Sequence, residues 1–165
     1  GIWGYGKIGK LVAKYAIAFG AEVMIWGSDT ARQSALDDGL KIAPSKAYFF
    51  EQADMISLHL RLSATTAGVV TASDLLHMKD GAALINTARA ELIEEGGIKF
   101  VLEQGKNLWF GLDVFETEPI HETDHFLITH PQVVCTPHLG YVEMSSYELY
   151  FKKAFENVLQ CIEEL

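Results

Sequence analysis

A glycine-rich run near the start of the chain, G-Y-G-K-I-G, follows the apolar pair Ile2-Trp3 and leads directly into a segment with helical periodicity. In a turn spaced G-x-G-x-x-G, the first glycine makes the tight bend, the second lets backbone approach a pyrophosphate, and the third lets the helix pack closely on the strand. Free N–H groups and the positive end of the helix dipole favour an anion at such a helix N-terminus. The context therefore predicts a phosphate-binding turn formed by Gly4, Tyr5, Gly6, Lys7, Ile8 and Gly9.

The composition is that of a globular domain large enough to bury a core. The 165 residues are 49% hydrophobic and 21% charged, and the formal net charge is -9. This acidic balance argues against a nucleic-acid surface or an anionic membrane surface as the partner, and no run of lysines or arginines points the other way. We therefore expect the partner to be a small molecule or another protein.

The cysteine content and the hydropathy pattern bear on the cellular setting. Only Cys135 and Cys161 are present, without a C-x-x-C pattern, so we expect two reduced core thiols rather than a disulfide scaffold, which suits a cytoplasmic protein. Lysines interrupt the apolar N-terminal segment, and no stretch of about 18 apolar residues exists, which excludes a membrane-spanning helix of the usual kind.

Short apolar runs alternate along the chain with segments of helical periodicity. After the glycine turn, the predicted strands are 22–26, 54–60, 82–86, 108–114 and 132–136. The predicted helices are 8–19, 30–38, 45–52, 71–78 and 92–104, with Thr30 and Ser45 as N-caps of the second and third. The strands lack strict alternation, so both of their faces are expected to be covered. This order predicts an α/β fold with a doubly wound parallel sheet of the Rossmann type, which gathers ligands at the carboxyl ends of its strands.

The last third of the chain departs from this rhythm. Residues 116–131 contain two prolines and no sustained period, which is typical of a surface loop, whereas residues from 143 onward return to helical spacing with an aromatic stripe. We predict a single domain in which residues 1–140 form a dinucleotide-binding unit and residues 141–165 form a C-terminal helix that closes on it. Its stripe is expected to be core, or in part to pack on missing residues or a second subunit.

Three polar residues come just after predicted strands: Arg89, Glu118 and His138. Because the carboxyl ends of parallel strands meet at one edge of the sheet, we expect all three in one cleft. The planar guanidinium of an arginine can donate two parallel hydrogen bonds to a substrate carboxylate. A histidine beside a carboxylate can donate a proton to a carbonyl that is being reduced. Taken singly, each residue could equally be an ordinary surface or strand-end side chain.

Three further motifs, in order along the chain, make a resemblance specific: N-T-A-R at 86–89, G-L-D-V-F-E-T-E-P at 111–119 and T-P-H-L-G at 136–140. Together with the glycine turn, they resemble the signatures of the D-isomer-specific 2-hydroxyacid dehydrogenases, and the resemblance covers essentially the whole chain. It implies that His138 is the acid/base, that Glu118 is its carboxylate partner, and that Arg89 binds the carboxylate and carbonyl of the substrate. It also implies that Asp113 lies near the nicotinamide ring.

The same resemblance implies a set of residues that contact the dinucleotide. They are Gly4, Tyr5, Gly6, Lys7, Ile8, Gly9, Gly27, Ser28, His59, Leu60, Arg61, Thr66, Thr87, Ala88, Arg89, Asp113, His138 and Gly140. For His59, a strand-end histidine satisfied by backbone is the preferred interpretation over a catalytic one.

One departure from the family pattern bears on the cofactor. Gly27 and Ser28 stand where an acidic residue would bind the ribose hydroxyls of the adenosine, and Asp29 comes one step later. Arg32 could approach a 2′-phosphate, or could equally belong to a solvated helix face. The expected cofactor is NAD, with NADP left open.

The resemblance also implies a substrate domain that precedes the glycine turn. Since Gly1-Ile2-Trp3 is about half of a usual strand, we expect the chain to be truncated at its N-terminus, to lack the substrate domain, and to be poorly active alone.

The expected function is hydride transfer between a nicotinamide cofactor and a small D-2-hydroxy acid or 2-oxo acid. The resemblance also implies a homodimer. The alternative is a dinucleotide-sensing interaction protein of the corepressor kind; a methyltransferase on the same sheet is less favoured.

Metal and hydrolase chemistry find little support. The loop histidines His121, His125 and His130, with Asp124, do not have the spacing of a compact helical zinc motif, so we expect them to be solvated and expect no metal site. No G-x-S-x-G elbow is present for a serine hydrolase.

Overall fold

A computed structural model describes residues 1–163, in which seven strands form one parallel sheet. The strands are β1 Ile2–Trp3, β2 Met24–Trp26, β3 Lys41–Ile42, β4 Met55–Leu58, β5 Ala83–Asn86, β6 Trp109–Leu112 and β7 Val133–Cys135. Their order across the sheet is β3-β2-β1-β4-β5-β6-β7, and every neighbouring pair is parallel. The order reverses between β1 and β4, the place where ligands bind in such sheets. The predicted doubly wound fold is confirmed.

Helices connect these strands, as parallel pairing requires. Those of the described chain are α1 Lys7–Ala18, α2 Asp29–Asp37, α3 Lys46–Gln52, α4 Ala72–His77, α5 Gly97–Glu103, α6 Phe126–Thr129 and α7 Met144–Glu163. Two elements were not predicted from the sequence: β3 and α6, which have only two and four residues. Elements of that length contain no full period of the hydrophobic pattern, so periodicity could not reveal them.

Two predicted helix boundaries are wrong for local reasons. The helix predicted over 92–104 begins only at Gly97, because Gly96 adopts a left-handed conformation with φ of 69°, and Leu92 belongs to a separate 3-10 turn, Ala90–Leu92. The N-cap of α2 is Ser28 rather than Thr30, since the Ser28 hydroxyl accepts a hydrogen bond of 3.3 Å from the N–H of Ala31. The predicted cap at Ser45 is confirmed by its bond of 3.1 Å to the N–H of Tyr48.

An aromatic cluster in the core fixes the strand that leads into the glycine turn. Trp3 of β1 packs edge-on against Phe49 and Phe50 of α3, with ring centroids 6.0 Å and 5.7 Å apart. All three residues are buried. Edge-to-face pairs of this kind contribute about 0.5–1.5 kcal/mol each beyond the area that they bury. The glycine turn therefore starts from a rigid point in the middle of the sheet.

The C-terminal helix α7 does not close on the domain as predicted. No described residue of α7 is buried, and large apolar side chains along it, such as Phe151 and Phe155, stay mostly exposed. Cys161, predicted to be a core thiol, is exposed for the same reason, whereas Cys135 is partly buried. Residues 164 and 165 of the predicted helical segment lie outside the described residues. Helical periodicity identified the apolar stripe of α7 but could not tell which surface would cover it.

None of the helices within residues 1–163 combines the length and the hydropathy needed to cross a membrane.

Candidate active site

The glycine turn lies at the carboxyl end of β1, beside the carboxyl end of β4. Gly4 has φ of 98°, and a Cβ placed there would lie 2.5 Å from the carbonyl oxygen of His59. A Cβ on Gly9 would collide with the carbonyl oxygen of Gly4. Both positions therefore require glycine for backbone packing. Gly6 differs, since a Cβ there would meet no atom within 4 Å.

Gly6 is also the N-cap of α1, and its lack of a side chain leaves the helix N-terminus without a side-chain cap. The space in front of Gly6 is an open cradle next to backbone N–H groups at the positive end of a twelve-residue helix, which favours an anion such as a pyrophosphate. The local geometry of this turn fits the group that the sequence analysis predicted for it.

The side chain of Tyr5 turns away from this cradle. Its hydroxyl donates a hydrogen bond of 3.0 Å to Asp38, which also forms an ion pair of 2.8 Å with Lys10. Tyr5 is buried, and burial followed by its bond to Asp38 raises the pKa of its hydroxyl. Only the backbone of Tyr5 therefore faces the cradle, while its side chain anchors the glycine turn to Asp38 at the C-terminal end of α2.

The segment that follows β4 faces the glycine turn across the place where the strand order reverses, between β1 and β4. The ring of His59 lies 2.9 Å from the Ser57 hydroxyl, so its partner is a side chain and not the backbone expected for it. Burial lowers the pKa of His59, which keeps the ring neutral at neutral pH. The Thr66 hydroxyl donates a bond of 2.7 Å to the carbonyl of Arg61 and thereby closes the loop beyond His59.

At the end of β2, the predicted adenosine-binding positions form a tight turn. Gly27 has φ of 159°, and Ser28 uses its hydroxyl as a helix cap. The guanidinium of Arg32 lies 4.8 Å from the centre of the Trp26 ring and forms an ion pair with Asp29. Arg32 is therefore committed to two protein partners, whereas the side chain of Asp29 is 95% exposed.

Asn86 organises the segment that follows β5, a role that the sequence analysis did not assign. It is fully buried, and its side chain accepts a hydrogen bond of 3.0 Å from the N–H of Ala88 and donates one of 2.8 Å to the carbonyl of Arg89. These bonds fix the turn that carries Thr87. The Arg89 guanidinium is exposed and donates to the carbonyl of Ala88 at 2.6 Å. Among residues 1–163 no ion pair joins Arg89 to Glu118.

His138 and Glu118 do meet. Nδ1 of His138 lies 2.7 Å from Oε2 of Glu118, while Oε1 accepts a hydrogen bond of 2.8 Å from the N–H of Phe115. The bond from His138, followed by the one from Phe115, holds the pKa of Glu118 below its usual value. An ionised carboxylate only accepts, so Nδ1 carries the proton and Nε2 remains for exchange with another molecule. Both side chains are about one-third exposed, at 33% and 36%.

Asp113 lies beneath this pair and holds the loop that carries His138. Asp113 is 4% exposed, and its carboxylate accepts hydrogen bonds from the Thr136 hydroxyl and from the N–H groups of Leu139 and Gly140, the latter two at 2.8 Å. Burial raises its pKa, but these bonds outweigh burial and keep the pKa below its usual value. His138 has φ of 52°, the only described non-glycine residue with positive φ. The bonds on both sides of His138 stabilise that uncommon conformation.

Two of the three loop histidines accept hydrogen bonds from the backbone. The Nδ1 atom of His125 accepts from the N–H of Leu127, and that of His130 accepts from the N–H of Gln132, each at 3.3 Å. Within the described part of the chain, no group of three or more histidine, cysteine, aspartate or glutamate side chains is arranged to hold a metal ion. A cavity of about 550 Å³ opens between α5 and the loop after β6, but Arg89, Glu118 and His138 do not line it.

The predicted site residues are thus brought to one edge of the sheet, but not all into contact. His138 pairs with Glu118, and Asp113 supports them from below, whereas Arg89 stands at the end of the neighbouring strand. In a comparison with known protein families, residues 1–140, which include all of these side chains, match the model of the D-isomer specific 2-hydroxyacid dehydrogenase, NAD binding domain. The chain belongs to this family.

Solved structures and curated relatives of the 2-hydroxyacid dehydrogenase family agree with this assignment. A phosphoglycerate oxidoreductase from Vibrio cholerae is 46% identical, with a TM-score of 0.95, and the match covers 99% of this chain and 52% of that one. An NAD-complexed 2-hydroxyacid dehydrogenase from Lactobacillus delbrueckii ssp. bulgaricus is 27% identical, with a TM-score of 0.78 and the same coverage. A hydroxypyruvate reductase from Thermotoga maritima is 36% identical over 85% of this chain and 45% of its own. The chain therefore spans about half the length of these relatives.

Proposed function

We propose that this domain serves a dehydrogenase that transfers a hydride between NAD and carbon 2 of a small D-2-hydroxy acid or 2-oxo acid. The observation that supports the proposal most strongly is the 2.7 Å pairing of His138 with Glu118 at the carboxyl edge of the sheet. The family match supplies the cofactor class.

The glycine turn is proposed to bind the pyrophosphate of NAD. Support comes from the open space in front of Gly6 and from the helix N-terminus that it caps. We assign the ribose hydroxyls of the adenosine to the exposed carboxylate of Asp29, because Arg32 is already paired with it and stacked on Trp26. This arrangement favours NAD over NADP, since a 2′-phosphate would meet a carboxylate.

His138 is proposed to act as the acid in reduction and as the base in oxidation. A bound nicotinamide supplies the hydride donor or acceptor. The bond between Nδ1 and Glu118 leaves Nε2 to give a proton to the carbonyl oxygen of the 2-oxo acid. In the reverse direction, Nε2 takes the proton of the hydroxyl group.

Arg89 is proposed to bind the carboxylate of the substrate. Its guanidinium is exposed at the end of β5, and its one described hydrogen bond goes to the adjacent carbonyl of Ala88, so it can be released to a ligand. The backbone of Arg89 is meanwhile fixed by Asn86. A planar fork on a fixed backbone suits bidentate binding of a carboxylate.

The test is an assay of NADH oxidation by the intact protein that carries this chain, with a panel of linear, branched and hydroxylated 2-oxo acids. We expect turnover of at least one of them, with the D-hydroxy acid as product. Tight binding of NADH without turnover of any member would contradict the proposal and favour a dinucleotide-sensing role.

A further inference from the structure

Tyr141 follows His138 by three residues and contacts its imidazole ring. The two ring centroids lie 5.5 Å apart, and the ring planes are inclined by 85°, an edge-to-face arrangement. The bond to Glu118 fixes only the Nδ1 atom of His138. The χ2 angle of histidine has a broad preference, so one hydrogen bond leaves the plane of the ring loosely defined. A second contact on the ring itself is needed to fix that plane.

Tyr141 is in turn held by the first turns of α7. Its ring centroid lies 6.3 Å from that of Tyr147, which stacks on Phe151 with centroids 6.4 Å apart and planes inclined by 21°. A continuous row of rings thus runs from His138 to a helix with no buried residue among those described.

We propose that Tyr141 is a positioning residue that fixes the imidazole plane of His138, and that Tyr147 of α7 holds Tyr141 in place. The inference rests on the proposed acid/base role of His138. It assigns a role in the site to α7, which packs no described side chain into the core of the domain.

The physical reason is the geometry of proton transfer. Nε2 must come within about 2.6–3.2 Å of the carbonyl oxygen and point at it. If the imidazole ring turns about the line from Nδ1 to Oε2 of Glu118, Nε2 moves while the hydrogen bond of Nδ1 is kept. A misplacement of about 1 Å at a reacting atom costs on the order of 100-fold in rate. Loss of the Tyr141 ring should therefore lower kcat and spare cofactor binding.

The test compares Tyr141→Leu, which removes the ring, with Tyr141→Phe, which keeps the ring and removes the hydroxyl. Tyr147→Leu and the double variant with Tyr141→Leu measure the coupling between the two rings. Tyr150→Leu is the control, because Tyr150 is exposed on the same helix and has no ring contact among the described residues. The intact protein is used, and kcat is expressed per NADH-binding site, so a partly unfolded sample still gives an answer.

We expect Tyr141→Leu to lower kcat by about 10-fold to 100-fold with unchanged affinity for NADH, and Tyr141→Phe and Tyr150→Leu to keep wild-type kcat. As a single substitution, Tyr147→Leu should lower kcat, but it should cause no further loss when Tyr141→Leu is already present. In the NMR spectrum of histidine-labelled protein, the Cε1–H resonance of His138 should move in Tyr141→Leu and stay in Tyr141→Phe. Wild-type kcat in Tyr141→Leu, or an equal loss in Tyr141→Phe, would overturn the inference.

A parallel His138→Asn variant separates this inference from the proposed function. If His138→Asn loses turnover while Tyr141→Leu retains it, the acid/base role stands and the positioning role fails. If His138→Asn retains wild-type turnover, the acid/base role of His138 fails and the positioning role of Tyr141 fails with it.

Discussion

Asp113 and Gly140 are joined by a hydrogen bond of 2.8 Å from the N–H of Gly140 to Oδ2, and a Cβ on Gly140 would lie 3.0 Å from the same oxygen. With the matching bond from Leu139, this contact fixes the chain immediately after His138. Asp113 therefore supports the site from beneath with both of its carboxylate oxygens. The position of Asp113 near the nicotinamide ring, which the family resemblance implies, stays a prediction.

Asp113→Asn should destabilise the fold by about 1–3 kcal/mol, because an amide cannot accept all of these bonds and leaves a buried N–H unpaired. The folded-state pKa of Asp113 is lowered, so its stabilisation is present above the unfolded value of 3.8 and is lost as the pH falls through the folded value. Urea unfolding at several pH values measures this. The difference between variant and wild type should shrink in acid.

The control for that measurement is Asp80→Asn. Asp80 forms an ion pair of 2.9 Å with Lys106 but is 73% exposed, so its removal should cost less than about 1 kcal/mol. Equal losses in the two variants would contradict the assigned role of Asp113.

Glu118→Gln should lower kcat for reduction by roughly 10²-fold to 10⁴-fold, as loss of the carboxylate partner of a catalytic histidine does elsewhere. The low pKa of Glu118 keeps it ionised at neutral pH, so it accepts the Nδ1–H of His138 and leaves Nε2 for the substrate. A glutamine can instead donate its N–H group to Nδ1, which selects the other tautomer of the imidazole. The kcat for reduction at saturating NADH measures the loss, and a wild-type kcat in Glu118→Gln would count against the pairing.

Gly6→Ala should separate cofactor binding from stability. Gly6 has ordinary backbone angles, with φ of -86°, and its Cβ would meet no protein atom within 4 Å, so the variant should fold normally. The added methyl group would occupy the proposed pyrophosphate cradle and should weaken NADH binding by at least about 10-fold, equivalent to 1.4 kcal/mol. Fluorescence titration measures the affinity, with Lys14→Ala farther along α1 as control. Unchanged affinity of Gly6→Ala for NADH would show that the pyrophosphate does not bind in the cradle in front of Gly6.

Asp29→Asn should relax the preference for NADH over NADPH. Removing the carboxylate frees Arg32 for a 2′-phosphate, and the ratio of the two kcat/KM values should fall by about tenfold, the worth of one charge-assisted hydrogen bond. Asp37→Asn on the same helix is the matched control, because Asp37 pairs only with Gln33 in the described contacts. If the wild-type protein prefers NADPH to NADH, the assignment of Asp29 to the ribose hydroxyls of the adenosine is incorrect.

The sequence predicted the parts of the fold that depend on periodic patterns and the parts of the site that depend on motifs. The alternation of strands and helices gave the parallel sheet, and Gly4 and Gly9 stand where backbone crowding demands glycine. The positions of Glu118 and His138 after two neighbouring strands predicted a shared cleft, which needed only local spacing and the geometry of a parallel sheet. Their pairing was implied by the resemblance to the dehydrogenase family, and the two side chains are in contact.

Features that depend on packing between distant segments were out of reach. Nothing in the spacing of Tyr141 and Tyr147 shows that their rings meet or that one of them touches His138. The exposure of α7 likewise depends on which surface covers its stripe. Asn86 could have been found, since a lone amide at the end of an apolar strand must find partners when it is buried.

The central claim is that His138 is the acid/base of hydride transfer at this edge of the sheet. The most direct measurement is the rate of NADH oxidation by His138→Asn in the intact protein, beside its affinity for NADH. The account predicts a loss of roughly 10²-fold to 10⁴-fold in rate with the affinity retained. Wild-type turnover by His138→Asn would contradict it.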